Sequence, residues 1–323
     1  MRPPLRALSL FVVCLNFEQG CLRRARLFFT YPIATFTSQK SVTLWSICCT
    51  VVARNGIYAR KGLIIRGNLL WVSLVTEIDL MYEATMRLTI NIDHIATLRN
   101  ARGGHEPSLV EATRICEAAG AHGIVCHLRE DRRHIRDADV RELRKTITTK
   151  LDLEMAAIDE IIQVALEVVP DFVTLVPERR RELTTEDGLD VRASKLHLQQ
   201  VIRTFHQHKI AVSLFVNPIK EQIEAAHEIE TDMIEIHTGE YAEARNSPHQ
   251  QELFAQVAQA AARAKSLGMG VHAGHGLNYS NVGAIAAIRD IDELSIGYAI
   301  VVRSMFVGLE RAVKEMRSLV LQE

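Results

Sequence analysis

The residues best suited to chemistry gather in Asn91-Ile92-Asp93-His94-Ile95-Ala96-Thr97-Leu98-Arg99-Asn100-Ala101-Arg102-Gly103. The run begins as a strand, because Leu88, Ile90 and Ile92 alternate with Thr89, Asn91 and Asp93, the period that sends successive side chains to opposite faces. Its polar face holds Asn91 and Asp93, and the chain leaves through His94, Arg99 and Arg102. An amide, a carboxylate, an imidazole and two guanidiniums at one strand end make a poor core. They make a good cradle for a charged, oxygen-rich small molecule. Similar pairs recur downstream. His127 and Arg129 share one strand face, as do Asp152 and Glu154, and Glu235 and His237. Later segments end Ala273-Gly274-His275-Gly276 and Ile296-Gly297-Tyr298.

Elimination narrows what this set does. No lysine stands at the C-terminal end of an expected strand, which argues against a Schiff-base aldolase with its buried amine. Cys126 neighbours His127, but alternation turns it to the opposite face, and neither G-x-S-x-G nor G-x-G-x-x-G occurs. Asp93, His127, Glu154, His237 and His275 are suitable metal-ligand types. They have no diagnostic spacing, and the expectation is no metal and no cofactor. What remains is acid–base chemistry in which His127, Glu154 and His275 exchange protons. Gly274 and Gly276 allow backbone N–H groups to approach an anion closely. Arg129, Arg132, Arg133 and His134 form a basic loop, so two separated cationic regions would suit two phosphorylated substrates.

These residues need a scaffold that brings strand ends together. Strand patterns occur at Arg87–Asp93, Gly123–Arg129, Leu151–Ala156, Phe172–Pro177, Ala211–Val216, Met233–Thr238, Gly270–Gly274 and Glu293–Tyr298. Helical patterns alternate with them at Ser108–Ala119, Asp137–Thr148, Asp159–Val168, Ser194–His208, Ile219–Glu228, Gln250–Leu267, Asn281–Ile288 and Ser304–Leu321. Eight such units within 86–323 predict an α/β protein with a single-domain, closed (β/α)8 TIM barrel rather than an open doubly wound sheet. In that fold the chemistry sits at the C-terminal strand ends, where the ionisable residues lie.

The chain has 323 residues, 48% of them apolar and 24% charged, with a formal net charge of -1. Nothing in that balance calls for nucleic acid. The average hides a division. Residues 1–85 hold both Trp, no His, and Cys14, Cys21, Cys48 and Cys49 of the six Cys. Arg2 and Arg6 before Ala7–Leu15 resemble the start of a signal peptide, but no small-x-small cleavage pattern follows. The Arg-rich, acid-poor composition also suits an organellar presequence. Arg66 interrupts the longest apolar run, Gly62–Leu74, leaving no stretch of roughly 18 residues to span a bilayer. Neither helical periodicity nor turn-punctuated strands are read there. The expectation is an extension, 1–85, that is poorly ordered or not part of the natural enzyme, with Met86 as the start of the catalytic barrel.

Asn91–Gly103, His127-Leu128-Arg129-Glu130-Asp131-Arg132-Arg133-His134-Ile135, Leu153-Glu154-Met155 and Leu175-Val176-Pro177-Glu178 resemble pyridoxine 5′-phosphate synthases. So do Thr184-Thr185-Glu186, Gly188-Leu189-Asp190-Val191, Glu235-Ile236-His237-Thr238-Gly239 and Ala273-Gly274-His275-Gly276-Leu277. The resemblance runs from Met86 nearly to the end. It implies a (β/α)8 enzyme of vitamin B6 biosynthesis that condenses 1-deoxy-D-xylulose 5-phosphate with 3-amino-2-oxopropyl phosphate, releasing phosphate and water. By position it makes His127 and Glu154 proton acceptors and His275 a proton donor, with Glu235 stabilising developing positive charge. It places Asp93, His94, Arg129, His134 and Thr184 around the xylulose phosphate. Asn91, Arg102, Gly276, Gly297 and Tyr298 would hold the amino-ketone phosphate. A cytoplasmic homo-octamer, away from membrane and nucleic acid, is also implied. The chain departs from the pattern at Tyr298, where the family usually has His, at His272 for Asn, and at Ser280 for His. A metal-dependent sugar-phosphate isomerase or epimerase, and a non-catalytic phosphate-binding homologue, are the alternatives.

Overall fold

The structure, a computed structural model, describes residues 26–30, 48–53, 56–61, 86–178, 187–245 and 247–322. The chain divides into two units, Met1–Leu80 and Met81–Glu323. Within the first, β1 (Arg26–Thr30), β2 (Cys48–Ala53) and β3 (Gly56–Lys61) pair antiparallel in that order. The absence of strands expected there is thus corrected. Asn55-Gly56, whose glycine opens β3, is the hairpin signal in the sequence. The expected disorder of 1–85 otherwise lies outside the described residues.

The second unit is the expected closed parallel barrel. Its strands are β4 (Arg87–Asn91), β5 (Gly123–His127), β6 (Lys150–Met155), β7 (Phe172–Leu175), β8 (Ala211–Val216), β9 (Met233–His237), β10 (Gly270–Gly274) and β11 (Glu293–Ile296). They close in the order β10-β11-β4-β5-β6-β7-β8-β9. Alternation sorts their side chains. Leu88, Ile90, Ile124, Leu151, Leu153, Val173, Leu214, Ile234 and Leu294 join the apolar core with the helices. The intervening positions supply the buried polar groups Thr89, Asp152, Thr174, Ser213, Glu235, His272 and Glu293. The hydrophobic driving force therefore sits between sheet and helices, and the barrel interior is left polar enough to carry chemistry.

The helices are α1 (Asp93–Arg102), α2 (Leu109–Ala118), α3 (Asp137–Thr146), α4 (Asp159–Val168), α5 (Val191–Gln207), α6 (Lys220–Glu228), α7 (Gly239–Glu243), α8 (Pro248–Ser266), α9 (Val282–Ala286), α10 (Tyr298–Val307) and α11 (Leu309–Leu321). Local chemistry starts several of them. The Ser108 hydroxyl accepts from the Glu111 N–H before α2, and Ser247 does the same for Gln250 before α8, where Pro248 fills the first turn. Among the boundaries that differ from expectation, two have a clear local cause. The first barrel strand stops at Asn91, whose Oδ1 accepts the Asp93 N–H at 2.9 Å and turns the chain into α1. The expected Ser304–Leu321 helix breaks at Gly308, whose φ of 82° lies where glycine is favoured.

Candidate active site

Parallel register sets the site at the C-terminal end of the barrel. His127 on β5 is paired with Glu154 on β6, which is paired in turn with Thr174 on β7. Nδ1 of His127 lies 3.8 Å from Oε2 of Glu154, while its Nε2 meets Oε1 of Glu178 at 3.0 Å. Asn91 bridges the group: its Nδ2 donates to Oδ2 of Asp93 at 3.1 Å and reaches Oε2 of Glu154 at 3.5 Å. The other Asp93 oxygen accepts the His127 backbone N–H at 2.8 Å. The Nδ1 atom of His134 stands 3.8 Å from that same oxygen. Asn91, Asp93, His127, His134 and Glu154 thus form one constellation.

Electrostatics single out Glu154. Its side chain is only 16% exposed. Burial pushes its carboxyl well above the usual carboxylate range, and Glu235, Asp93 and Asp152 push it further, against the Asn91 hydrogen bond. Glu235 is raised to about 8 by burial and by Glu293. Asp152, deeper still, is raised well above its ordinary value by burial and by Glu235, although the Thr174 hydroxyl donates to it. Burial lowers both His94 and His134, in each case against the pull of Asp93. The raised carboxyls are suited to proton exchange, whereas burial favours the neutral form of the two histidines.

A second cluster faces this one from β9 and β10. The rings of His237 and His275 lie 5.0 Å apart, and Phe215 packs against both. Asn217 accepts from the Gly188 N–H and lies 3.2 Å from Nδ1 of His237, and among the described residues no bonding partner meets the buried Nε2 of that ring. Burial and the His275 charge lower His237 to about 4. His275 itself holds a φ of 78°, an uncommon conformation for a residue with a side chain. The Thr238 hydroxyl ties its carbonyl at 2.7 Å. A Cβ on Gly274 would fall 2.3 Å from Oε1 of Glu235, and one on Gly297 would fall 2.8 Å from both the Cβ and the carbonyl oxygen of Asn91. Gly297 precedes α10, so the first-turn N–H groups of that helix are available to an anion. Tyr298 is 67% exposed and touches the His94 ring edge-on at 5.0 Å.

Several sequence expectations change here. Arg99, counted among the cradle cations, is buried in a bidentate pair with Asp139, at 2.6 and 2.8 Å, and donates to the His134 carbonyl at 3.1 Å. It fastens the loop that carries His134. The basic loop is largely neutralised: Arg132 meets Asp137 and Glu160, and Arg133 meets Asp131. Arg129 is buried, with Nε 3.8 Å from Asp131. Arg102 is exposed at the end of α1 and takes no part in the constellation. Thr184 lies outside the described residues. Glu178, noted in the sequence only as part of a motif, joins the site, and its Pro177-Glu178 position just past a strand end was the available signal. Asp93, His127 and His134 each offer a ligand atom within 4.8 Å of the others, an arrangement able to hold a metal.

Comparison with known proteins adds to this geometry. Residues 88–322 match the family described as pyridoxal phosphate biosynthesis protein PdxJ. The pyridoxine 5′-phosphate synthase of Syntrophobacter fumaroxidans is 53% identical over 234 residues, 72% of this chain and 98% of that protein. The synthase of Geobacter sulfurreducens is 52% identical over 234 residues, covering 72% and 98%. That of Chlorobium phaeobacteroides is 50% identical over 235 residues, covering 73% and 100%.

Proposed function

The chain belongs to the PdxJ family of pyridoxal phosphate biosynthesis proteins, and on that premise we propose that it closes the pyridine ring of pyridoxine 5′-phosphate by metal-free acid–base catalysis. The substrates are 1-deoxy-D-xylulose 5-phosphate and 3-amino-2-oxopropyl phosphate, and the co-products are phosphate and water. The amine arrives with a substrate, so the enzyme needs no lysine of its own. One observation carries the reading: Glu154, with its raised pKa, and His127 lie 3.8 Å apart, side by side on neighbouring strands at the barrel mouth. Both act as proton acceptors, and His275 on the opposite side returns protons to the leaving oxygens.

Binding follows the two clusters. Asp93, His94, Arg129, His134 and Thr184 hold the xylulose phosphate. Asn91, Gly276, Gly297 and Tyr298 hold the other phosphate, chiefly through backbone N–H groups at the α10 N-terminus, with Arg102 as its cation. Glu235 is raised to about 8 in the free protein; a cationic intermediate above Gly274 would draw it into its ionised form, where it stabilises that charge. The enzyme is proposed to work as a cytoplasmic homo-octamer. Exposed Met305 and Phe306 on α10 suit a subunit contact. Among the described residues, no helix is long and apolar enough to cross a membrane.

A metal-dependent isomerase or epimerase is favoured by the closeness of Asp93, His127 and His134. Two of the three are already engaged, however. Both Asp93 oxygens accept hydrogen bonds, and Nδ1 of His134 accepts the Ile135 N–H at 3.0 Å. The test is turnover of the two phosphorylated substrates with excess chelator. Formation of pyridoxine 5′-phosphate with release of inorganic phosphate supports the proposal. Chelator-sensitive isomerisation of one substrate alone, or binding with no turnover, defeats it.

A further inference from the structure

His127 is held from two sides by carboxylates, and the two do different things. Glu178 follows β7, its side chain is 5% exposed, and Oε1 lies 3.0 Å from Nε2 of His127. Its second oxygen accepts the Glu130 backbone N–H at 3.0 Å. Burial alone would raise this carboxyl, but the contacts with His127, with the Glu130 N–H and with Arg129 hold it below its ordinary value. An ionised carboxylate can only accept. The hydrogen in this contact therefore belongs to Nε2, which leaves the lone pair of the neutral ring on Nδ1, the nitrogen turned toward Glu154.

We propose that Glu178 is a positioning residue for His127, fixing the Nε2–H tautomer so that Nδ1 is the atom that takes the proton at the reaction centre. This rests on the proton-acceptor role given to His127 above. The His127 backbone is anchored separately, by its N–H on Asp93, so Glu178 governs the ring. A proton leaving the substrate, directly or through Glu154, ends on Nδ1, and no bond of Glu178 is made or broken. The imidazolium so formed lies against an ionised carboxylate, a charge-assisted contact stronger than a neutral one.

Glu178→Gln tests this because Gln offers one acceptor oxygen where two N–H groups donate. If that oxygen stays with Glu130, the amide –NH2 faces Nε2 and drives the ring hydrogen to Nδ1. If it turns to the ring, the imidazolium loses its counter-charge. Either way kcat should fall about 10- to 10³-fold while KM changes by less than about threefold, and Glu178→Asp should recover part of the loss. A kcat within about twofold of wild type, or a loss confined to KM, overturns the proposal. Neutron diffraction from wild-type crystals gives an answer that needs no folded variant. Deuterium on Nε2 of His127 and none on Nδ1 or Glu178 is expected; deuterium on Nδ1 instead overturns it. Wild-type turnover is scored apart, so failure of the synthase reading is distinguishable from failure of the tautomer assignment.

Discussion

Glu293 and Glu154 are the same residue type in the same barrel, at opposite ends of it, and their surroundings differ in kind. Glu293 begins β11, is 2% exposed, and receives Nε of Arg87 at 2.8 Å, with Nδ1 of His272 at 3.7 Å. Glu154 lies near the end of β6, and its polar partners are the Asn91 amide and the His127 ring. A guanidinium stays protonated at any working pH, so the first carboxylate always has a cation beside it. An amide and an imidazole leave the second free to change its protonation. Burying a carboxylate without a fixed counter-charge costs several kcal/mol, a cost that stability alone does not explain and proton transfer does. The counter-ion, more than the carboxylate, separates a structural end of the barrel from a chemical one.

Substitution at the two positions should separate them in opposite ways. Glu154→Gln keeps size and most hydrogen bonding but cannot accept a proton. Its kcat should fall on the order of 10²–10⁴-fold, with substrate Kd and melting temperature close to wild type. If Glu154 only ordered the mouth, kcat at saturation would stay near normal and binding would weaken. Glu293→Gln should do the reverse. It leaves Arg87 and His272 without their carboxylate, and since Arg87 is 34% exposed the loss is discounted to about 1–2 kcal/mol. Thermal denaturation should show a midpoint lower by roughly 2–8 °C, with kcat changed less than about threefold. A large kcat loss at stable fold would erase the distinction.

Smaller effects sharpen the picture of the mouth. Tyr298 touches His94 with its ring while the backbone at Gly297–Tyr298 opens α10, where the second phosphate is proposed to bind. Tyr298→His should lower KM for the amino-ketone phosphate by no more than about tenfold, one hydrogen bond's worth. A large change in kcat would bring the side chain into the chemistry. The smallest effect is expected from removing residues 1–85: a chain starting at Met86 should match the full chain in steady-state turnover and melting temperature. Loss of either would make that segment part of the enzyme.

The barrel was legible because its strands alternate cleanly: Ala211–Val216 and Gly270–Gly274 match their expected bounds, and other ends shift by a residue or two. The helices at the mouth were not. Residues 93–102 form α1 despite a polar composition, because Asn91 turns the chain there and Asp93 favours the positive helix N-terminus. The candidate bases were also legible, since alternation alone places Glu154 and His127 on one face. What the sequence could not say was which charges are already spent. Arg99 reads as a free cation until Asp139, forty residues away, closes on it. Glu178 reads as a loop acid until the barrel brings β7 beside β6 and sets it against His127. Long-range pairing of this kind leaves no local pattern in a single chain.

The most direct measurement is an infrared titration of the ligand-free enzyme, with the Glu154 carboxyl band assigned from the difference between wild type and Glu154→Gln. The sign follows from burial: a carboxyl raised in the folded state keeps its proton as pH passes the ordinary glutamate value, and releases it only at higher pH. The predicted result is a protonated Glu154 band that persists through the range where exposed carboxyls have ionised, then disappears above it. A Glu154 band already lost by about pH 5, alongside ordinary carboxylates, would contradict the account and leave His127 as the base.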